Sequence, residues 1–575
     1  MGVTETSNRL LSPERLRIIL PLAVFVIALA IRLIGIGWGL KNDLHNQSYH
    51  PDEEDIYRFS QKIEPAHLKF TPGVYNYGTF YLSALKIASD MTAAYTGGPN
   101  PKNPSMDWSY IARCNLAGRL ISAFAGAGTV LLVYLIVYRL SGLMGALFSA
   151  GILAFAPAHV VHSRFQTVDV TAVFLLTASV LFAFKLLRKE GEDSPAEKQV
   201  LKWIILAGVF AGLSAGTKYT GILGIFTILV VLFACRRATF VKEGLIAIGS
   251  MLAVFVISCP GVILQNEAFM RDFKYEMLHT ATAHGLVFEG TANGFIYHFG
   301  NLVQGFGTIA TLLGLGALVY AAFRKQIWAI ALLAFFVPYY VLIGRAEVKF
   351  IRYTFPLYVG LAVGFGWAIA EGHRAGKWGR LAVGAGILAI GGVDYGGMIG
   401  TARFTGYMTS EDPRDAAARY LKDTARSKPD SVVGLPEDPW FWSAPLFPDS
   451  TIARRDIARD RSGWVSEMQA ATSPHVTYYR TPEGNPFQFD KRLITEVKPD
   501  FVTYSSIESV DAMRLKGRTD VSNEGKALAA QFAEFSDALQ KGYEADRQFG
   551  DEVMLVQDLA YVQPHVWIWK RKPTP

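Results

Sequence analysis

Between residues 48 and 59 the chain reads SYHPDEEDIYRF, with four consecutive acids, Asp52, Glu53, Glu54 and Asp55, behind His50 and Pro51. Carboxylates at that density can do two things. Acids in the first turn of a helix that opens on Pro meet the positive end of the helix dipole. A carboxylate can also act as a general base, taking a proton from a hydroxyl within hydrogen-bond reach. The first explanation accounts for one or two acids, and Glu54 and Asp55 are read that way. It leaves the cations that recur in other loops unexplained: Lys69, Arg113, Arg119, Arg164, Lys218, Arg345, Lys349 and Arg352. Carboxylates facing such groups fit a site that activates a nucleophile and stabilises a departing phosphate. Arg meets phosphate oxygens as a planar fork, Lys as a point charge. For any one of these cations, snorkelling of a long side chain to the headgroups is the alternative reading.

Apolar spans must position these residues. Of 575 residues, 51% are hydrophobic and 18% charged, against about a quarter charged in soluble proteins. Apolar runs predict a polytopic α-helical membrane protein with about eleven spans, near 18–39, 117–137, 142–158, 170–187, 203–217, 221–235, 244–259, 305–323, 327–343, 353–370 and 381–399. Basic pairs such as Arg236/Arg237 and Arg324/Lys325 mark the cytosolic loops, which puts the N-terminus inside. The long loops 41–116 and 260–304 then lie outside, on one face with the acids and cations above. The expected division is a membrane domain over 1–400 and an outward soluble α/β domain over 401–575. In the latter, strands are expected at 431–435, 501–506, 552–556 and 565–570, and one amphipathic helix over 524–549. The net charge of +7 sits mainly in short loops and does not point to nucleic acid. Cys114, Cys235 and Cys259 lie in or beside apolar segments and imply no disulfide framework.

The first outer loop, opening on HPDE, resembles the acidic motif of the GT-C glycosyltransferases, in the branch of protein O-mannosyltransferases and the lipid A aminoarabinose transferase. FTPGVYNYGTFYLSAL (70–85), GRLISAFAGAGTVLLVYLIVYRLSG (118–142) and GILAFAPAHVVHSRFQTVDVTAVFLL (151–176) are similar to segments that follow it in that family. So are GLSAGTKYTGIL (212–223) and KFIRYTFPLY (349–358). The resemblance implies a GT-C-like fold and sugar transfer from a polyprenyl-phosphate donor to a protein, lipid or polysaccharide hydroxyl. It places the reaction at the outer, periplasmic face of the cytoplasmic membrane.

Asp52 matches the family's first acid and is the expected base, with Glu53 orienting base or acceptor. Lys218, Arg345, Lys349 and Arg352, backed by Lys69 and Arg164, are expected at the departing phosphate. Asp169 is expected either as a second acid of the site or as a partner of Arg164. Tyr75, Tyr77, Tyr219 and Tyr353, with His50, are expected against sugar or acceptor, or as interfacial aromatics. If a divalent metal takes part, Asp52, Glu53 and His50 are the expected ligands. A transporter or flippase is the rival reading, but matching inverted halves with broken helices are not evident in the sequence.

Overall fold

The computed structural model describes residues 13–573, apart from 43–44, 46, 102–106, 189–194, 283, 377–378, 394–395, 429–430, 438–439 and 552–556, and from 447–488, where strand His475–Tyr478 alone is described. The membrane half is a bundle in which every predicted span coincides with an apolar helix, though not with its predicted ends. The second span is the middle of a 34-residue helix, Trp108–Ser141, started by Asp107, whose side chain accepts from the Tyr110 amide. Six helices among the described residues are long and apolar enough to cross a bilayer alone. Four more apolar helices, including Leu143–Ala154 and Val168–Phe184, are shorter. The predicted span near 305–323 is a broken pair, Gly294–Phe306 and Thr308–Phe323, bent by 115°. Gly307 sits at the break with φ +103°, a backbone state open to glycine and strained for other residues.

The bundle is held by close backbone approach as well as by apolar side chains. Gly208 and Gly212, one turn apart on Glu197–Ala215, lie against the Ala247 and Met251 carbonyls of Phe240–Ser258. A Cβ at either glycine would come within 2.5 Å of those oxygens. Small residues four apart let helix backbones meet in lipid, where burial of apolar surface gives no drive to associate. Leu22, Leu245 and Phe323 instead point outward and stay exposed.

The C-terminal half carries a five-stranded mixed sheet in the order β2-β1-β3-β5-β4, with β1 Val432–Leu435, β2 His475–Tyr478, β3 Phe501–Ser505, β4 Tyr543–Phe549 and β5 Val566–Arg571. β1 pairs in parallel with β2 and β3, and β5 runs antiparallel to β3 and β4. One face packs on Ala417, Ala418 and Leu421 of helix Pro413–Ser427. The other packs on Leu528, Phe532 and Phe535 of helix Asn523–Gly542. The helix expected over 524–549 therefore ends at Gly542, and its last seven residues form β4. Tertiary pairing with β5 overrides the local helical pattern there. The strand expected at 552–556 lies outside the described residues, and β2 was not anticipated.

The two halves interlock. Helix Gly397–Thr409 crosses the expected boundary at 400 and packs through Phe404 and Met408 into the membrane-half core. Arg414, fully buried, lays its guanidinium 3.6 Å from the ring centre of Tyr49 and donates to the Phe441 and Tyr561 carbonyls. The Tyr49 hydroxyl in turn donates to Asp415.

Candidate active site

Helix Pro51–Ser60 starts as its sequence dictates, with His50 extended at the N-cap, Pro51 in the first turn and acids behind it. Its buried residues are Glu53, Ile56 and Ser60, spaced three and four apart along one face. The four acids therefore meet four different environments. Glu53 points inward and is fully buried. Arg119 donates to its two oxygens at 2.8 and 2.7 Å, and the Gln166 amide adds a bond at 2.7 Å. Glu54 takes Lys41 at 2.5 Å. Asp55 pairs with Arg58 at the surface. Asp52 faces Arg352, Oδ2 to Nη2 3.1 Å, and a quarter of its side chain (25%) remains accessible.

Arg352 lies in a single 3₁₀ turn, Ile351–Thr354, ahead of helix Phe355–Arg374. Its guanidinium rests 4.0 Å from the ring centre of Phe350. Each of its nitrogens looks at a different carboxylate: Nη2 at Asp52, Nε at Asp169 at 4.0 Å, and Nη1 at Asp558 at 3.6 Å. Asp169, in the first turn of Val168–Phe184, also holds Lys218 at 2.5 Å. The Lys218 ammonium lies 4.5 Å from the ring centre of Tyr353. Asp52, Arg352, Asp169 and Lys218 thus form a line of alternating charge drawn from four separate segments. Burial alone would raise the Asp52 carboxyl. Arg352, chief among the charges around it, outweighs burial and holds it below its ordinary value.

Beside this line opens a cavity of about 220 Å³. Lys218, Arg345 and Glu276 give it polar points, and Phe273, Met277, Leu342 and Ile343 give it an apolar wall. Tyr77, Tyr219 and Tyr353 line it too. The Tyr219 hydroxyl is shared between the Tyr75 and Tyr77 carbonyls, at 2.8 and 2.9 Å, and so fixes that stretch of the 41–116 loop. Among the described residues the Arg345 guanidinium has no ion-pair partner, and it is exposed at the cavity.

The remaining candidates stand apart. Tyr75 is buried against Phe269, its hydroxyl bonded to Gln265. Lys69 is exposed and paired with Glu64. Arg164 is buried and donates to the Ile31 carbonyl, the Thr405 hydroxyl and the Met408 sulfur, so the expected pairing with Asp169 does not form. Lys349 donates to Thr291 and Glu347. The His50 ring packs 4.4 Å from Phe165, and burial, ahead of its charged neighbours, lowers its pKa and favours the neutral imidazole. Of the expected metal ligands Asp52, Glu53 and His50, Glu53 has its oxygens taken up by Arg119 and Gln166. Among the described residues no group of three or more His, Cys, Asp or Glu side chains is disposed to hold a metal ion.

Sequence reasoning missed Asp558. It lies in a helical turn, Gln557–Ala560, of the C-terminal half and is fully buried. Besides Arg352, its Oδ2 lies 3.6 Å from His162 Nε2. Three residues on, the Tyr561 ring meets His50 edge-on at 5.5 Å. The surrounding DLAYVQPH carries no spacing that would have marked Asp558.

Residues 79–265, which include Arg119, Asp169 and Lys218, match the model of the family described as dolichyl-phosphate-mannose-protein mannosyltransferase. The resemblance to the GT-C glycosyltransferases holds. A Bacillus subtilis (strain 168) protein, "Putative mannosyltransferase YkcB", is 28% identical over 157 residues, 27% of this chain. The match spans about a fifth of that relative's length (21%). Among solved structures, ArnT from Cupriavidus metallidurans bound to undecaprenyl phosphate aligns over 96% of this chain and 97% of its own, with 14% identity and a TM-score of 0.48. The Archaeoglobus fulgidus oligosaccharyltransferase AglB, with an inhibitory peptide and a dolichol-phosphate, aligns over 92% and 73%, with 14% identity and a TM-score of 0.45.

Proposed function

We propose that this chain is a membrane glycosyltransferase that moves a sugar from a polyprenyl-phosphate-linked donor to an acceptor hydroxyl at the outer face of the cytoplasmic membrane. The observation that carries the reading is the line Asp52–Arg352–Asp169–Lys218 standing beside an apolar cavity with Arg345 at its edge. The donor's first prenyl units lie along Phe273, Met277, Leu342 and Ile343, with the tail running into the bilayer. Its phosphate sits between Lys218 and Arg345, and its sugar meets Tyr77 and Tyr353.

Asp52, kept ionised and aimed by Arg352, takes the proton of the acceptor hydroxyl. The acceptor oxygen bonds to the anomeric carbon, and the bond from that carbon to the phosphate oxygen breaks with its electron pair leaving on the phosphate. Lys218 meets the charge that develops there, and a fixed cation at such a point lowers the barrier, while Arg345 at the cavity edge holds the phosphate alike before and during transfer. Asp169 holds Lys218 and Arg352 in place from between. The C-terminal half, on the same outer side, covers the site. The match over 79–265 supports this sugar-phosphate chemistry and makes a mannosyl donor the first to try. Acceptors to offer are a protein hydroxyl, a lipid headgroup and a polysaccharide.

The test is transfer of radiolabelled sugar from mannosyl-phosphoryl undecaprenol or dolichol by the purified protein. Asp52→Asn should lower the rate by about 10²–10⁴-fold while the melting temperature stays close to wild type. Full activity in the folded variant would remove Asp52 from the role of base.

A further inference from the structure

We propose that Asp558 is a positioning residue for Arg352, so that the C-terminal half completes the active site rather than only covering it. The inference rests on the transferase reading above. Its grounds are geometric. The Ile351 and Arg352 amides open the 3₁₀ turn that leads into Phe355–Arg374, and the first N–H groups of a helix have no partner within it. The two Asp558 oxygens accept from them, at 3.0 Å from Ile351 and 3.3 Å from Arg352. One carboxylate, arriving from about 200 residues away, thus fixes the backbone that carries Arg352 and also faces the Nη1 side of its guanidinium.

The orientation of that guanidinium matters because its three nitrogens divide three carboxylates between them. Without Asp558 the fork is free to turn and close on Asp52 or Asp169 with two nitrogens. Either movement changes where the base points and how strongly it is neutralised. Asp558 itself is fully buried against Arg352 and His162. It is too deep to meet an acceptor and acts through Arg352.

The experiment is a double-mutant cycle on the full-length protein, with kcat, donor KM and melting temperature read for D558N, R352Q and the pair. Asn keeps the side chain's shape and one acceptor oxygen but not the charge. D558N is expected to lower kcat by between about tenfold and about a hundredfold, the scale of a displaced catalytic group, with donor KM changed far less. Because Asp558 works through Arg352, the double variant should be no slower than R352Q alone, within about threefold. A double variant slowed by the product of the two single effects would overturn the proposal, and so would a folded D558N with wild-type kcat. Should D558N not fold, D558E keeps the charge while displacing the carboxylate by one methylene. It must lower kcat in the same way, and a wild-type rate overturns the proposal. A fully active D52N would instead sink the base assignment and leave the Arg352–Asp558 coupling to be read on its own.

Discussion

The Arg119 guanidinium grips both carboxylate oxygens of Glu53, and the two side chains are sealed from solvent. This pair joins the 41–116 loop to helix Trp108–Ser141, and Arg119 also donates through Nη1 to the Ile36 and Trp38 carbonyls and through Nη2 to the Ser48 hydroxyl. Glu53 therefore has no free oxygen to offer a substrate. Breaking a buried ion pair from one side strands the other charge, at a cost of about 3–5 kcal/mol. E53Q and R119A should each lower the melting temperature of the detergent-solubilised protein sharply, with transfer activity falling in step with the folded fraction. A well-folded E53Q that cannot transfer sugar would return Glu53 to the chemistry.

Arg345 touches the donor phosphate before and during transfer on the proposed reading. An interaction equally strong in ground and transition states raises KM when removed and leaves kcat nearly unchanged. R345A is expected to raise donor KM by about tenfold, the effect of losing one charge-assisted contact. Initial rates against prenyl-phosphate-sugar concentration decide this, and a fall in kcat at constant KM would contradict the placement.

Lys69 and Arg164 should not respond as phosphate ligands. Lys69 is a surface residue paired with Glu64, so K69A should leave KM, kcat and melting close to wild type. Arg164 is buried among neutral acceptors, so R164A should destabilise the protein while the rate per folded molecule holds. A selective rise in donor KM for either variant would show that the phosphate lies elsewhere.

The C-terminal half carries its own pH sensitivity. Burial pushes the Glu508 carboxyl up to about 8, against the opposing bonds from Ser505 and Ser443. The folded value lies above the unfolded one, so the folded state holds this proton more tightly. That stability is complete at pH below the unfolded carboxyl range and is lost as pH rises through about 8. The melting temperature of wild type should therefore fall between pH 6 and 9 by more than that of E508Q. Equal slopes would mean that the group titrates normally.

Much of the membrane half was legible because hydropathy is a property of contiguous residues. Each apolar run coincides with a helix, and errors fall at ends and breaks, such as the turn at Gly307, where a single residue decides. Within the acidic cluster Glu53 was expected to orient base or acceptor, although its helical spacing already carried the signal of burial. It shares a helical face with Ile56 and Ser60, a spacing that places it on the buried side, whereas Asp52 falls on the adjoining face. Arg119 and Arg352 were among the cations expected to face these acids, but which acid each meets was not legible, nor was Asp558, since all three reach the site from distant segments. The run through Tyr543–Phe549 failed for a related reason. Its helical pattern is real, but β5 offers an edge that only the assembled sheet provides.

The amides of Ile351 and Arg352 find their acceptor in a residue that the ribosome adds about 200 codons later. On the proposed reading, then, the site lacks one of its walls throughout synthesis, and the nascent bundle would be inert until its tail arrives. A chimera that exchanges the tail for a relative's would have to bring an acid at the matching place. Without one, the hybrid would insert and fold its helices and still be a silent catalyst.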